Sequence, residues 1–276
     1  MRAMSQAADL HRYPTFPALA QQVVLITGAS SGIGAACAHA FAHSGCRLIL
    51  TARRGDRLTE LAETLRAEGA AEVHTRTLDV RDAAAVAGLV PSLPPSLQAI
   101  DIVVNNAGLG RGRDKLHEGD PAEWDEMIDT NVKGLLRVNR AVLPQMVARD
   151  RGHIIHIGSI AGRTAYVGGT VYCASKAAVR MINECLKHDL LGTRIRVSTI
   201  DPGMVETEFS VVRFRGDAQR ARAVYDGMTP MTAADVAESV LFCASRPAHV
   251  NISEVVMLAT DQASPTSVHR RSVCRA

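Results

Sequence analysis

Short apolar runs alternate along this chain with longer stretches in which apolar residues recur every three or four positions. The run Val23-Val24-Leu25-Ile26-Thr27, closed by Gly28, predicts a strand buried on both faces. The next stretch carries Ile33, Cys37 and Phe41 at fourfold spacing and stops at Gly45, the pattern of a helix with a glycine end. Arg47–Thr51 predicts a second strand, the stretch from Arg57 to Glu68 a helix, and Val73–Leu78 a third strand. A fourth strand, Ile100–Val104, follows a connector holding Pro91, Pro94 and Pro95. Pro121 opens a helix that runs toward Arg149, where Pro144 is expected to kink or split it. His153–Ile157 and Ile195–Ile200 read as further strands, with a helix over Val171–Leu190 between them. A helix over Ala233–Ala244 and a strand over Val255–Leu258 close the pattern.

This alternation implies an α/β protein: a single-domain Rossmann-type fold, with a doubly wound parallel sheet and helices on both faces. No shift in composition separates two halves. The catalytic domain is therefore expected over residues 21–263, after a flexible leader at 1–20 (Met4 offers an alternative start) and before a tail at 264–276. The segment 202–232 is too long for an ordinary connection and is expected to be a substrate loop or disordered.

Composition narrows the function only by exclusion. At 47% hydrophobic and 21% charged the chain reads as an ordinary soluble protein, and a net charge of +3 argues for neither nucleic acid nor an anionic membrane as partner. No apolar run approaches the roughly 20 residues of a membrane span. Six cysteines (Cys37, Cys46, Cys173, Cys185, Cys243 and Cys274) have no C-x-x-C spacing and read as free thiols in a reducing, cytoplasmic compartment. The ten histidines form no metal-ligand set, so no metal is expected, and Ser159 in Gly158-Ser-Ile-Ala-Gly162 is not a hydrolase elbow.

Chemistry enters between the first strand and the first helix. Thr27-Gly28-Ala29-Ser30-Ser31-Gly32-Ile33-Gly34 lets the backbone turn tightly and approach a pyrophosphate at the helix N-terminus. The second strand ends in Thr51-Ala52-Arg53-Arg54, where an NAD binder would carry an acid for the ribose 2′-hydroxyl. Two guanidiniums suit a 2′-phosphate instead, so NADP is the expected cofactor. Tyr172 and Lys176, four apart on one predicted helix, share a face, and there the ammonium is expected to pull the phenol below its usual pKa of about 10. A tyrosine so tuned serves alcohol and ketone chemistry as general acid or base.

These motifs, with Asn105-Asn-Ala-Gly108, Asn131, Ser159 and Asp201-Pro-Gly203, resemble those of the short-chain dehydrogenase/reductase family from about Val23 to the last strand. The resemblance implies a catalytic tetrad of Asn131, Ser159, Tyr172 and Lys176. It also implies cofactor contacts from Gly28, Ser30, Ser31, Gly32, Ile33, Gly34, Arg53, Arg54, Asp79, Val80, Asn106, Ala107, Gly108, Tyr172, Lys176, Pro202, Gly203, Val205 and Thr207. In that family Lys176 would hold the nicotinamide ribose, Asn131 would anchor a water, and the subunits would pair through long helices as dimers or tetramers.

A narrower likeness links residues 126–136, 152–162 and 202–217 to NADP-dependent 3-hydroxy acid dehydrogenases. The implied substrates are L-serine, allo-threonine and 3-hydroxyisobutyrate, or the matching semialdehydes. Ser159 would then hold the reacting oxygen, and Arg163, Arg213 and Arg215 are the candidates to pair with a substrate carboxylate. The alternatives are a reductase of a bulkier ketone or biosynthetic carbonyl compound, and a dinucleotide-binding regulator without turnover. The intact tetrad argues against the last.

Overall fold

The computed structural model describes residues 13–271. Seven strands, β1 (Val23–Thr27), β2 (Arg47–Ala52), β3 (Glu72–Thr77), β4 (Ile102–Asn105), β5 (Gly152–Ile157), β6 (Ile195–Pro202) and β7 (Glu254–Met257), form one sheet. Their order is β3-β2-β1-β4-β5-β6-β7, and every pairing is parallel. Because successive side chains point to opposite faces, Val24 and Ile26 join one core while Val23 and Leu25 join the other. The first core is closed by α1 (Gly32–His43), α2 (Gly55–Ala67) and α9 (Ala233–Ala244). The second is closed by α3 (Ala83–Ala87), α5 (Leu135–Ala148) and the C-terminal part of α6 (Thr170–Asp189).

The chain leaves β1 toward β2 and β3 and returns to the other side of β1 as β4. The crevice beyond the carboxyl ends of β1 and β4 is where such a sheet holds a ligand. Thr27 ties the two ends together: its Oγ1 accepts the amides of Asn106 and Ala107 at 3.1 and 3.0 Å and donates to Val104 O at 3.4 Å.

Two sequence expectations are corrected. The expected break at Pro144 does not occur, since Pro144 lies within α5. The interruption falls earlier, where α4 (Pro121–Ile128) passes into a π-helical segment, Asp129–Gly134, before α5 begins. The flexible leader also ends before residue 20. Leu19 is 1% exposed, the Phe16 amide donates to Ser44 Oγ at 3.3 Å, and Tyr13 stacks edge-on against His43. Residues 1–12 of that leader lie outside the described residues.

The segment 202–232 is ordered into two short helices, α7 (Phe209–Arg213) and α8 (Ala218–Ala223). Its ends are pinned to each other, Glu206 N donating to Met231 O and Met231 N to Met204 O. The tail packs over this lid as far as Arg271: Arg271 pairs with Asp261 at 2.6 Å and its amide donates to Gly227 O, while Arg270 donates to the Val224 and Asp226 carbonyls. Cys37, Cys46, Cys173, Cys185 and Cys243 are free thiols; Cys274 lies outside the described residues.

Candidate active site

The crevice opens into a cavity of about 390 Å³ that runs from the glycine turn to the lid. At its inner end the backbone is packed too closely for side chains. Gly28 has φ +67°, and a Cβ there would lie 2.9 Å from Ala107 Cα; one on Gly34 would lie 2.4 Å from Gly28 O. Asn106 fixes the turn by donating its amide to the Thr27 and Gly28 carbonyls at 2.9 and 3.2 Å. The outcome is a tight cradle at the N-terminus of α1, lined by Gly28, Ser30, Ser31, Gly32 and Ile33. Gly34 lies behind the turn rather than on the cavity wall.

Arg53, Arg54, Asp79, Val80, Asn106, Ala107, Gly108, Pro202, Gly203, Val205 and Thr207 all line the same cavity. The two arginines differ. Arg54 donates Nη2 to the Ser30 and Ser31 hydroxyls at 3.0 and 2.7 Å and Nη1 to Glu208 at 2.9 Å. Arg53 is 54% exposed, and its closest acid is Glu126 at 3.9 Å. Asp79 is turned toward Arg81, whose hydrogen bonds hold its carboxyl below the usual range.

Ser159, Tyr172 and Lys176 line the cavity together, Ser159 hydrogen-bonded to Tyr172. Ser159 closes β5 and caps the short turn Ile160–Gly162 by accepting the Ala161 amide at 3.1 Å. Tyr172 and Lys176 both rise from the first two turns of α6. Lys176 is buried and donates to Ile157 O at 2.8 Å; burial lowers its pKa to about 8. Asn131 does not reach the cavity wall. From the π-helical segment its amide donates to Leu109 O and Ser175 Oγ at 2.8 and 3.0 Å, and its Oδ1 accepts Leu109 N. It thereby binds the strand-end loop to α6, 2% exposed. Such π-helical insertions recur at functional sites.

The expected lowering of the Tyr172 pKa is not found in the protein alone. Burial pushes the phenol up to about 12. Its largest opposing influence is the Arg213 charge, helped by a hydrogen bond with Ser159.

Arg213 also separates the three candidate substrate arginines. Arg163 points away from the cavity into a pair with Asp201 at 2.7 Å and a further bond to Glu254. Arg215, at φ +52° just past α7, pairs with Glu123 at 2.6 Å on the surface. Neither lines the cavity, because acids of the fold already hold both. Arg213 does line it: its guanidinium lies 4.6 Å from the Tyr172 ring centre and donates to Tyr166 OH at 3.0 Å, while its Nε is buried without a partner. Tyr166 and Phe209 complete this wall, Glu208 lies toward Arg54, and none of the three carries a periodic signal in the sequence. Only the position of Tyr166, six residues before Tyr172 across a Gly-Gly turn, hints that it returns toward the site.

Comparison with known proteins settles the family. The short chain dehydrogenase model matches residues 22–217. The chain belongs to the short-chain dehydrogenase family. An NADP-dependent 3-hydroxy acid dehydrogenase of Salmonella typhi is 47% identical to it over 250 residues, 90% of this chain and 99% of that protein. Sulfoacetaldehyde reductase 2 of Chromohalobacter salexigens is also 47% identical, over 87% of this dehydrogenase and 95% of the relative. A closed form of serine dehydrogenase complexed with NADP+ superposes with a TM-score of 0.85 at 45% identity, covering 90% of this chain and 99% of that one.

Proposed function

We propose that this dehydrogenase uses NADP and interconverts a small 3-hydroxy acid, such as L-serine, allo-threonine or 3-hydroxyisobutyrate, with its 3-oxo acid or semialdehyde. The observation that carries the substrate class is Arg213, a cation on the cavity wall 4.6 Å from the Tyr172 ring centre. A carboxylate in the cavity would pair with the guanidinium's charge within reach of the proton-transferring phenol. The cofactor reading is supported by the cradle, which admits no Cβ at Gly28 or Gly34, and by Arg53 and Arg54 in place of an acid.

The glycine turn, Ser30, Ser31 and the two arginines would hold the phosphates, and Lys176 the nicotinamide ribose. When bound, the cofactor would supply the hydride acceptor or donor. Tyr172 would take the hydroxyl proton during oxidation and return it during reduction. Ser159 would hydrogen-bond the same oxygen and hold it against the phenol as charge develops. Because burial raises the Tyr172 pKa, Arg213 and the positive charges around the phenol would have to bring it back toward working pH. Asn131 would act through Lys176 by fixing α6 and by anchoring a water. A homo-oligomer built through α5 and α6 is supported by Leu136, Val147 and Met181, which expose apolar side chains there. The free thiols fit a cytoplasmic setting.

A second reading keeps the mechanism and changes the anion. The sulfoacetaldehyde reductase among the relatives favours a sulfonate aldehyde, which Arg213 could bind in the same way. Initial rates with NADP+ and NAD+ on the three hydroxy acids, on 2-hydroxyethanesulfonate and on a neutral secondary alcohol test both readings. Turnover of an acid with NADP+ supports the first, and a clear preference for the sulfonate supports the second. Turnover of the neutral alcohol alone contradicts both.

A further inference from the structure

The sequence has no acid at the end of β2, yet the fold brings one there from the far side of the chain. Glu208 lines the cofactor end of the cavity at the start of α7 and bridges two arginines, accepting from Arg54 Nη1 at 2.9 Å and Arg57 Nη1 at 2.7 Å. Burial alone would raise its pKa, but hydrogen bonds from Arg57 and Arg54 hold the carboxyl below the usual range, so it is an anion at neutral pH. Arg54 is held to Ser30 and Ser31 by Nε and Nη2 and to Glu208 by Nη1. A phosphate recognised by Arg54 therefore meets a carboxylate already in place.

The same residue is joined to the chemistry by one turn of helix. Phe209 follows Glu208 directly and packs 5.6 Å from the Tyr172 ring, and Arg213 lies four residues further on the same face, 5.1 Å from Phe209. The Glu208 contacts with Arg54 and Arg57 are the ion pairs that hold this end of the lid to α2 and the glycine turn.

We propose that Glu208 is an internal counter-anion that competes with the cofactor's 2′-phosphate for Arg54 while latching α7 over Tyr172 through Arg57. The enzyme gives up part of its affinity for the phosphate and gains a lid held in register with the cofactor site. This rests on the NADP reading, and the experiment separates the two.

The test is equilibrium titration of adenosine 2′,5′-bisphosphate and adenosine 5′-monophosphate, which differ by the 2′-phosphate alone. If the wild-type protein binds both equally, the NADP reading fails before any variant is made. If it prefers the bisphosphate, Glu208→Gln keeps a hydrogen-bond acceptor and removes the charge. The bisphosphate should then bind about fivefold tighter, the size of one like-charge contact near the surface, with the monophosphate within about twofold. In the other direction, Arg57→Gln should weaken the bisphosphate by releasing Glu208 fully to Arg54, and this loss should shrink in the Glu208→Gln background. Released from its latch, Glu208→Gln should raise KM for the organic substrate by a larger factor than it lowers kcat. An unchanged ratio of the two nucleotide affinities in Glu208→Gln, or weaker bisphosphate binding, would overturn the competition. A fall in kcat with KM untouched would overturn the latch.

Discussion

The two ends of the cavity each present an arginine, and the two are treated in opposite ways. At the cofactor end Arg54, 40% exposed, is hydrogen-bonded to Ser30, Ser31 and Glu208. At the substrate end Arg213 lies on aromatic rings, donates once to Tyr166, and leaves Nε buried and unpaired. A buried donor without an acceptor costs roughly 1–3 kcal/mol. The fold accepts that cost at the substrate end and avoids it at the cofactor end. On the proposed reading, a phosphate at the cofactor end would enter a network of side chains already paired with one another, and an anion at the substrate end would meet a guanidinium that no acid of the fold has claimed.

The change that should do most is Tyr172→Phe, which removes the hydroxyl proposed to carry the proton. It is expected to lower kcat by roughly 10²–10⁴ while NADPH binding, followed by fluorescence titration, stays within about threefold. If the variant kept a tenth of the wild-type rate, Tyr172 would not be the general acid or base.

Arg163→Met should act on the fold rather than on recognition. Asp201, 1% exposed, would lose the partner of its Oδ2, at a cost of about 2–3 kcal/mol read as a lowered denaturant midpoint. KM for an acid substrate should stay within about twofold. A large rise in KM without loss of stability would return Arg163 to the substrate site.

The core beneath the site should make the protein sensitive to acid. His156 is enclosed by Asn139 and Asn183, and burial lowers its pKa from 6.5 to about 4. The unfolded chain therefore binds a proton over a pH range in which the native state does not. The stability this contributes is complete above pH 6.5 and is lost as pH falls toward 4, with a slope of up to about 1.4 kcal/mol per pH unit. His153, buried within β5 and likewise lowered by burial, adds in the same direction. Thermal unfolding between pH 7 and pH 4 should show the slope, and His156→Gln should flatten it. Smallest of all, Arg215→Gln should leave acid-substrate KM within about twofold, since its pair with Glu123 is a surface contact.

Much of this architecture was legible from the chain. The seven strands and the helices α1, α2, α6 and α9 stand within about two residues of their expected limits, because each carries enough apolar positions to set its period. The helices α3, α7 and α8 did not show, being five or six residues long, too short for any repeat to emerge. The break around Asn131 was misplaced to Pro144 for a different reason. Asp129–Gly134 keeps a helical pattern, and widening of a turn to a π-helix leaves no mark in residue type. Tyr172, Lys176, Ser159 and the glycine turn were found because their chemistry demands particular residues at fixed spacing. The choice among Arg163, Arg213 and Arg215 was not, since it depends on acids far away in sequence: Asp201 and Glu254 claim the first, and Glu123 claims the last. Glu208 was hidden in the same way, 154 residues from Arg54.

The central claim is that Arg213 is the anion anchor of the substrate end, and one comparison tests it directly. With NADP+ held saturating, kcat/KM is measured for wild type and Arg213→Gln on a 3-hydroxy acid and on a neutral alcohol that both turn over. A loss of about 10²-fold or more is expected on the acid, carried mostly by KM, with a change of only a few-fold on the neutral alcohol. Equal losses on the two substrates would contradict it, leaving Arg213 a support for the Tyr172 ring and the acid to be recognised elsewhere.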